Sequence, residues 1–206
     1  MAYSRRKFVR PLGERRYRKF YVIATEGART EREYFEMLNV MLEKNDRDIR
    51  IKVINNSKNR SAPNHVLKRM TDYIRLEQLR KADEAWLIID KDQWSDEQIS
   101  PLHQWSQAKE NRKLAVSNPK FEYWLLLHFE DGTAVTSGNC TDRLRKYLPD
   151  YDKRIDELKV KPGIIAAINR AKDRDVPARP EWPRNTGTTI YLLVERIMTD
   201  DENDNH

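Results

Sequence analysis

Cysteine is almost missing from these 206 residues, since Cys140 stands alone. One thiol excludes an internal disulfide framework and a zinc knuckle, and it fits a reducing compartment. Long apolar runs are missing as well. No early stretch resembles a signal peptide and none is long enough to span a bilayer, so the expected location is the cytoplasm, with no membrane partner. A GxxxxGK[ST] phosphate loop is absent, which argues against an ATPase in this chain. No second histidine or cysteine lies at metal-ligand spacing from His128, which therefore reads as a satisfied core or boundary histidine. There is no internal repeat, and no low-complexity segment apart from the two charged ends.

What is present allows one substantial core. The chain is 38% hydrophobic and 35% charged, with a net charge of +6 that favours a polyanionic partner over an acidic one. Residues 1–19 form a basic arm, with Arg5, Arg6, Lys7, Arg10, Arg15, Arg16, Arg18 and Lys19 against Glu14. Such an arm holds phosphates by counterion release, or serves only as a solubilising tail. Residues 200–206 read as a frayed acidic tail and residues 20–199 as the folded domain.

Hydrophobic periodicity gives an alternating order. Strands are predicted at Phe20–Thr25, Ile49–Ile54, Ala85–Asp92 and Lys113–Ser117. Helices lie between them: one opens with a capping box at Thr30 and Glu33, one has Pro63 in its first turn, and one starts at Ser95 or Ser100 with Pro101 in its first turn. This order calls for an α/β domain with a largely parallel sheet flanked by helices. A helical C-terminal part follows: Thr141–Tyr147 with Leu144 and Tyr147 inward, Pro162–Lys172 with Ile164, Ile165 and Ile168 inward, and a closing helix from Ile190. Asp173–Pro183 reads as an irregular connection.

The chemistry concentrates at strand ends. The run Ala85-Trp86-Leu87-Ile88-Ile89 stops at Asp90-Lys91-Asp92, and in an extended chain the two aspartates point the same way. Two like charges side by side call for a cation, and hard oxygen donors suit Mg²⁺. The plainer reading is a solvated turn. The first strand stops at Glu26-Gly27, where Glu26 is either a site carboxylate or a turn residue favoured by the helix dipole, and Gly27 supplies a positive φ. Since α/β sites lie at the carboxyl ends of strands, Glu26, Asp90 and Asp92 can converge on one or two ions. Glu122, embedded in the apolar stretch Phe121–Phe129, needs a partner, a metal or a proton unless it sits on an exposed first turn.

Several segments together resemble RloB-like proteins: Glu26-Gly27 with Thr30-Glu31 and Tyr34-Phe35; Asp90-Lys91-Asp92; Ser117-Asn118-Pro119 with Phe121-Glu122 and Trp124-Leu125-Leu126-Leu127-His128-Phe129; and Asn185-Thr186. The resemblance runs from about Tyr21 to Met198. It implies a Toprim-like fold, a restriction or phage-defence locus, and an ATPase partner encoded nearby. It also implies a Mg²⁺ (or Mn²⁺) site in which Glu26 matches the Toprim glutamate and Asp90 and Asp92 the metal-binding pair, with Glu122 a further carboxylate. The expected function is a metal-dependent nuclease-like effector with catalytic Glu26, Asp90, Asp92 and Glu122. Arg5, Arg6, Lys7, Arg15, Arg16, Lys58 and Arg60 would steer the nucleic acid. The alternative is a non-catalytic nucleic-acid-binding or regulatory subunit of an ATPase complex, which the aromatics Trp94 and Trp182, read as exposed, fit equally well.

Overall fold

The computed structural model describes residues 19–44, 48–56, 61–175 and 181–202. Strand β1 (Lys19–Thr25) is followed by helix α1 (Thr30–Lys44), β2 (Ile49–Val53), α2 (Pro63–Leu76), β3 (Glu84–Asp90), α3 (Asp96–Gln107) and β4 (Arg112–Asn118). The short α4 (Phe121–Leu126), α5 (Ser137–Tyr147), α6 (Glu157–Val160) and α7 (Ile164–Arg174) come next. A two-residue strand β5 (Gly187–Thr188) and helix α8 (Ile190–Glu202) close the chain.

The sheet has the order β2-β1-β3-β4-β5, with every pairing parallel except β4 with β5. The expected α/β domain with a largely parallel sheet and C-terminal helices is therefore present. Apolar residues alternate across the sheet because successive side chains of a strand point to opposite faces. On one face Tyr21, Ile23, Trp86, Ile88 and Ala115 pack with Tyr34, Phe35 and Leu38 of α1, with α4 and with the C-terminal helices. On the other, Val22, Ala24, Ala85, Leu87 and Ile89 pack on Val66 and Met70 of α2 and Leu102 of α3. Coverage of both faces is what a parallel sheet of continuous apolar strands requires.

Chain direction places the site. From β1 the chain moves to one side to form β2, then crosses back to lay β3 and β4 on the other side. Right-handed crossovers in opposite directions put α1 on one face and α2 and α3 on the other. The carboxyl ends of β1 and β3 are therefore the topological switch point of the sheet, the place where open α/β sheets bind their ligands.

Several local details differ from the sequence reading. Thr30 and Glu33 form no capping box: the Thr30 hydroxyl lies 3.2 Å from the Tyr151 hydroxyl and from the Lys153 carbonyl, and Glu33 accepts the Ile155 amide at 3.0 Å. Helix α3 starts after Ser95, whose capping box with Gln98 satisfies the first turn, so Pro101 lies in the helix interior. Helix α5 begins at Ser137, capped by Thr136, and Ile165 and Tyr147 are exposed. Tyr147 still stacks on Phe129, with ring centroids 5.0 Å apart. Lys19 opens β1, and α8 continues past Asp200, where the tail was expected to start. Asp200 pairs with Lys19 at 2.7 Å and accepts the Tyr21 hydroxyl at 2.5 Å, joining the two ends of the domain.

Candidate carboxylate site

The parallel register pairs Thr25 with Ile88, so the residues after β1 and at the end of β3 leave the sheet together. Glu26 donates its amide to the Ile88 carbonyl at 3.1 Å, and the Asp90 amide donates to Glu26 Oε2 at 3.2 Å. Two of the predicted carboxylates are therefore neighbours at the switch point. Asp92 lies one step further out, exposed, with its amide on the Pro119 carbonyl and its carboxylate accepting the Ser137 hydroxyl at 2.9 Å. Pro119 follows a cis peptide bond from Asn118. Glu122 approaches from the first turn of α4.

Glu31, which the sequence reading left out, completes the cluster from the first turn of α1. Its Oε1 accepts the Gly27 amide at 2.7 Å, folding the carboxylate over the residue after Glu26. Gly27 is explained by this close approach and not by a positive φ. A Cβ there would lie 2.1 Å from Glu31 Oε2.

These acids are buried, with Glu26 at 9%, Glu31 at 5% and Glu122 at 2% exposure. Burial pushes the Glu26 carboxyl up to about 7, opposed by hydrogen bonds from the Trp94 indole and the Asp90 amide and helped by the charges of Glu31 and Asp92. Glu31 is raised as well, by burial first and then by Glu122, while its backbone hydrogen bonds and Lys153 oppose the rise. Asp90 is raised most clearly, by burial and then by the charges of Glu31, Glu26 and Glu122. Its Oδ1 is sealed from solvent with no hydrogen-bond partner. A buried carboxylate oxygen without a donor is costly, and it needs a proton or a cation.

Glu122 behaves differently. Burial has the largest effect on it and would raise it, but Lys153 and the Tyr151 hydroxyl, which donates at 3.0 Å, together hold it below the ordinary carboxylate range. Lys153 Nζ contacts Glu122 Oε1 directly. Nothing in the sequence pattern marks Lys153 or Tyr151, since both lie in the irregular stretch between α5 and α6.

Basic and aromatic neighbours complete the surroundings. Trp94 is half-buried and not an exposed platform: its Nε1 donates to both oxygens of Glu26 at 3.0 Å. Trp182 is buried, against the expectation of exposure, bonded to Asp96 at 3.2 Å and stacked beneath the Arg184 guanidinium. Lys91 turns away from the two aspartates between which it stands, reaching the Trp94 carbonyl at 2.5 Å and Asp96 at 3.3 Å. Arg69 donates to the Thr25 carbonyl at 2.5 Å and to Asn56, which in turn donates to the Glu26 carbonyl. His128 is the expected core histidine: its Nδ1 donates to the Trp124 carbonyl at 3.0 Å, its Nε2 accepts from the Tyr34 hydroxyl at 3.2 Å, and burial lowers it to about 4. The predicted nucleic-acid residues Arg5, Arg6, Lys7, Arg15, Arg16, Lys58 and Arg60 lie outside the described residues.

The donor chemistry of Glu26, Glu31, Asp90 and Asp92 fits a hard divalent cation, which would satisfy the orphaned Asp90 Oδ1 as a proton would. The coordination is not preassembled. Among the described residues no three His, Cys, Asp or Glu side chains already stand at ligating spacing. Glu26 is engaged by Trp94, Glu31 by the Gly27 amide and Glu122 by Lys153. A cleft of about 230 Å³, lined by Leu148, Arg154, Ile155, Asp156 and Lys159 among others, shares only Tyr151 with the cluster.

Fold and site together define an α/β protein with a buried acidic cluster at the switch point of its sheet. The model of the family described as RloB-like protein matches residues 21–197, and the chain belongs to that family. No curated protein and no solved structure gives a significant match. Among the described residues no helix is long and apolar enough to cross a membrane.

Proposed function

We propose that this chain is a Toprim-like, Mg²⁺- or Mn²⁺-dependent nuclease-like effector of bacterial phage defence. It would hydrolyse phosphodiesters of nucleic acid in the cytoplasm, in company with an ATPase. The observation that carries the reading is the Asp90 oxygen left without a donor among Glu26, Glu31 and Glu122. Asp90 and Asp92 would hold the ion, Glu26 would either join them or serve as the general acid or base, and Glu122, with Glu31, would complete or orient the shell. When bound, such an ion polarises a phosphoryl oxygen and offsets charge on the leaving oxygen.

The chain's own groups supply the rest. Glu26, with a carboxyl near 7, is poised to hold or release a proton at neutral pH, as a general acid or base must. Trp94 fixes the direction of that carboxyl by donating to both of its oxygens. Lys58, Arg60 and the amino-terminal arm would gather the polyanion.

The test is cleavage of labelled DNA and RNA with Mg²⁺ or Mn²⁺, against EDTA and against Asp90→Asn. Metal-dependent cutting that disappears in the variant supports the proposal. Equal cutting by the variant removes Asp90 from the chemistry. The second reading, a non-catalytic nucleic-acid-binding or regulatory subunit, is favoured by the lack of preassembled ligating geometry among the described residues. It predicts salt-sensitive binding that survives loss of Glu26, Asp90 and Asp92, with no turnover under either metal.

A further inference from the structure

Lys153 is held where it stands at some cost. Its backbone lies at φ 64°, a left-handed conformation that side chains other than glycine, asparagine and aspartate seldom adopt. Such a position persists where surrounding contacts over-determine it. Here the Lys153 carbonyl lies 3.2 Å from the Thr30 hydroxyl, next to Glu31, and Tyr151, two residues earlier, bonds both Thr30 and Glu122. The loop is thus docked on the first turns of α1 and α4, the two helices that bring Glu31 and Glu122 to the site. Its ammonium reaches the carboxylate of Glu122, which is almost fully buried, while the lysine side chain remains 59% exposed. One end of the pair is buried in the site and the other borders on solvent.

We infer that Lys153 is a built-in counter-cation of the carboxylate site, neutralising Glu122 in the ion-free protein and competing with a divalent ion for the cluster. The inference rests on the metal-binding reading proposed above and adds the element that sets its affinity. A singly charged ammonium on a flexible stem is the weaker competitor, because a divalent ion brings twice the charge to carboxylate oxygens at about 2.0–2.1 Å. Binding of the ion then includes the cost of parting Lys153 from Glu122. Without that cost the ion binds more tightly, by about tenfold for a pair worth about 1.4 kcal/mol.

The experiment is calorimetric titration of Mn²⁺ into EDTA-treated full-length protein, into Lys153→Met and into Lys153→Gly, with thermal melts of each. Glycine accepts the left-handed backbone, so that variant retains its fold if methionine does not. About tenfold tighter Mn²⁺ binding by a folded variant supports the inference, as does binding by a variant when the parent shows none. Measurable binding by the parent with equal or weaker binding by the variants overturns it and leaves the metal reading standing. No binding by any of the three overturns both. A merely structural lysine would move the melting temperature and leave the affinity where it was.

Discussion

The charged form of Glu26 works against the fold, and glutamine at that position isolates the effect. Burial, aided by the charges of Glu31 and Asp92, moves this carboxyl from the ordinary 4.5 to about 7 despite the opposing hydrogen bonds from Trp94 and the Asp90 amide. A group that binds its proton more tightly folded than unfolded gives stability that is complete below pH 4.5 and is lost as pH rises through 7. At about 1.4 kcal/mol per pH unit, the loss is roughly 3 kcal/mol by pH 8. Glu26→Gln escapes that loss and keeps an acceptor for the Trp94 indole. Its amide nitrogen cannot accept from the Asp90 amide, which takes back about 1 kcal/mol. In EDTA at pH 8 the variant should therefore be about 2 kcal/mol more stable, a rise of roughly 4–8 °C in melting midpoint for a chain of this size. Near pH 4.5 the gain should vanish or turn into a small loss. His128 contributes equally to both proteins and cancels in the difference. Urea or thermal denaturation of the pair from pH 4.5 to 8 measures it, and a pH-independent difference, or a less stable variant at pH 8, refutes the reasoning. Under the proposed function Mg²⁺ reverses the order: at a hundred times its dissociation constant it adds about 2.7 kcal/mol to the parent and little to a variant deprived of a ligand.

Asp90→Asn removes the most strongly raised carboxyl. It should leave the melting temperature in EDTA unchanged or higher while reducing metal-dependent cleavage by at least about 100-fold, beyond what loss of an outer-shell partner costs. His128, lowered to about 4, gives stability that is complete above its ordinary 6.5 and is lost as pH falls through 4, up to roughly 3 kcal/mol. Its ring proton signals in an NMR titration should stay unchanged from pH 8 to 5.5, and a midpoint near 6.5 would show that the ring is not buried. Neutralising Arg5, Arg6, Lys7, Arg15 and Arg16 should flatten the slope of log affinity against log salt by about 0.9 for each phosphate that the arm no longer neutralises. An unchanged slope would reduce the arm to a solubilising tail.

What could be read from the sequence was set by how local its cause was. The four long strands and α1, α2 and α8 follow from apolar runs and helical spacing, which depend on neighbours in the chain. Strand β5 has two residues and no pattern of its own. It is made by the Ser117 and Thr188 hydroxyls, 2.7 Å apart, and by pairing with β4 across some 70 residues. Trp182 looked exposed because its stretch is rich in proline and charge, yet Asp96, Arg184 and the His103 ring enclose it. In the site, Glu26 and Asp90 were legible because strand ends in a parallel sheet gather at one edge. Glu31 was hidden because the first turn of α1 was already accounted for by the capping expected of Thr30 and Glu33. Lys153 depends on how an irregular segment wraps round two helix starts.

The placement of charge adds a constraint that neither fold nor motif supplies alone. The chain is basic overall, yet its switch point collects Glu26, Glu31, Asp90, Asp92 and Glu122, with Lys153 in contact with one of them. A phosphodiester drawn in by the arm would meet like charge there. Each pair of unit charges 4 Å apart costs about 4 kcal/mol at an effective dielectric of 20. Protons on Glu26, Glu31 and Asp90 relieve that repulsion only by removing the bases that hydrolysis needs. A bound cation relieves it and keeps the carboxylates ionised, so the nuclease reading depends on the metal reading. A preparation that cuts nucleic acid in excess EDTA would break that dependence.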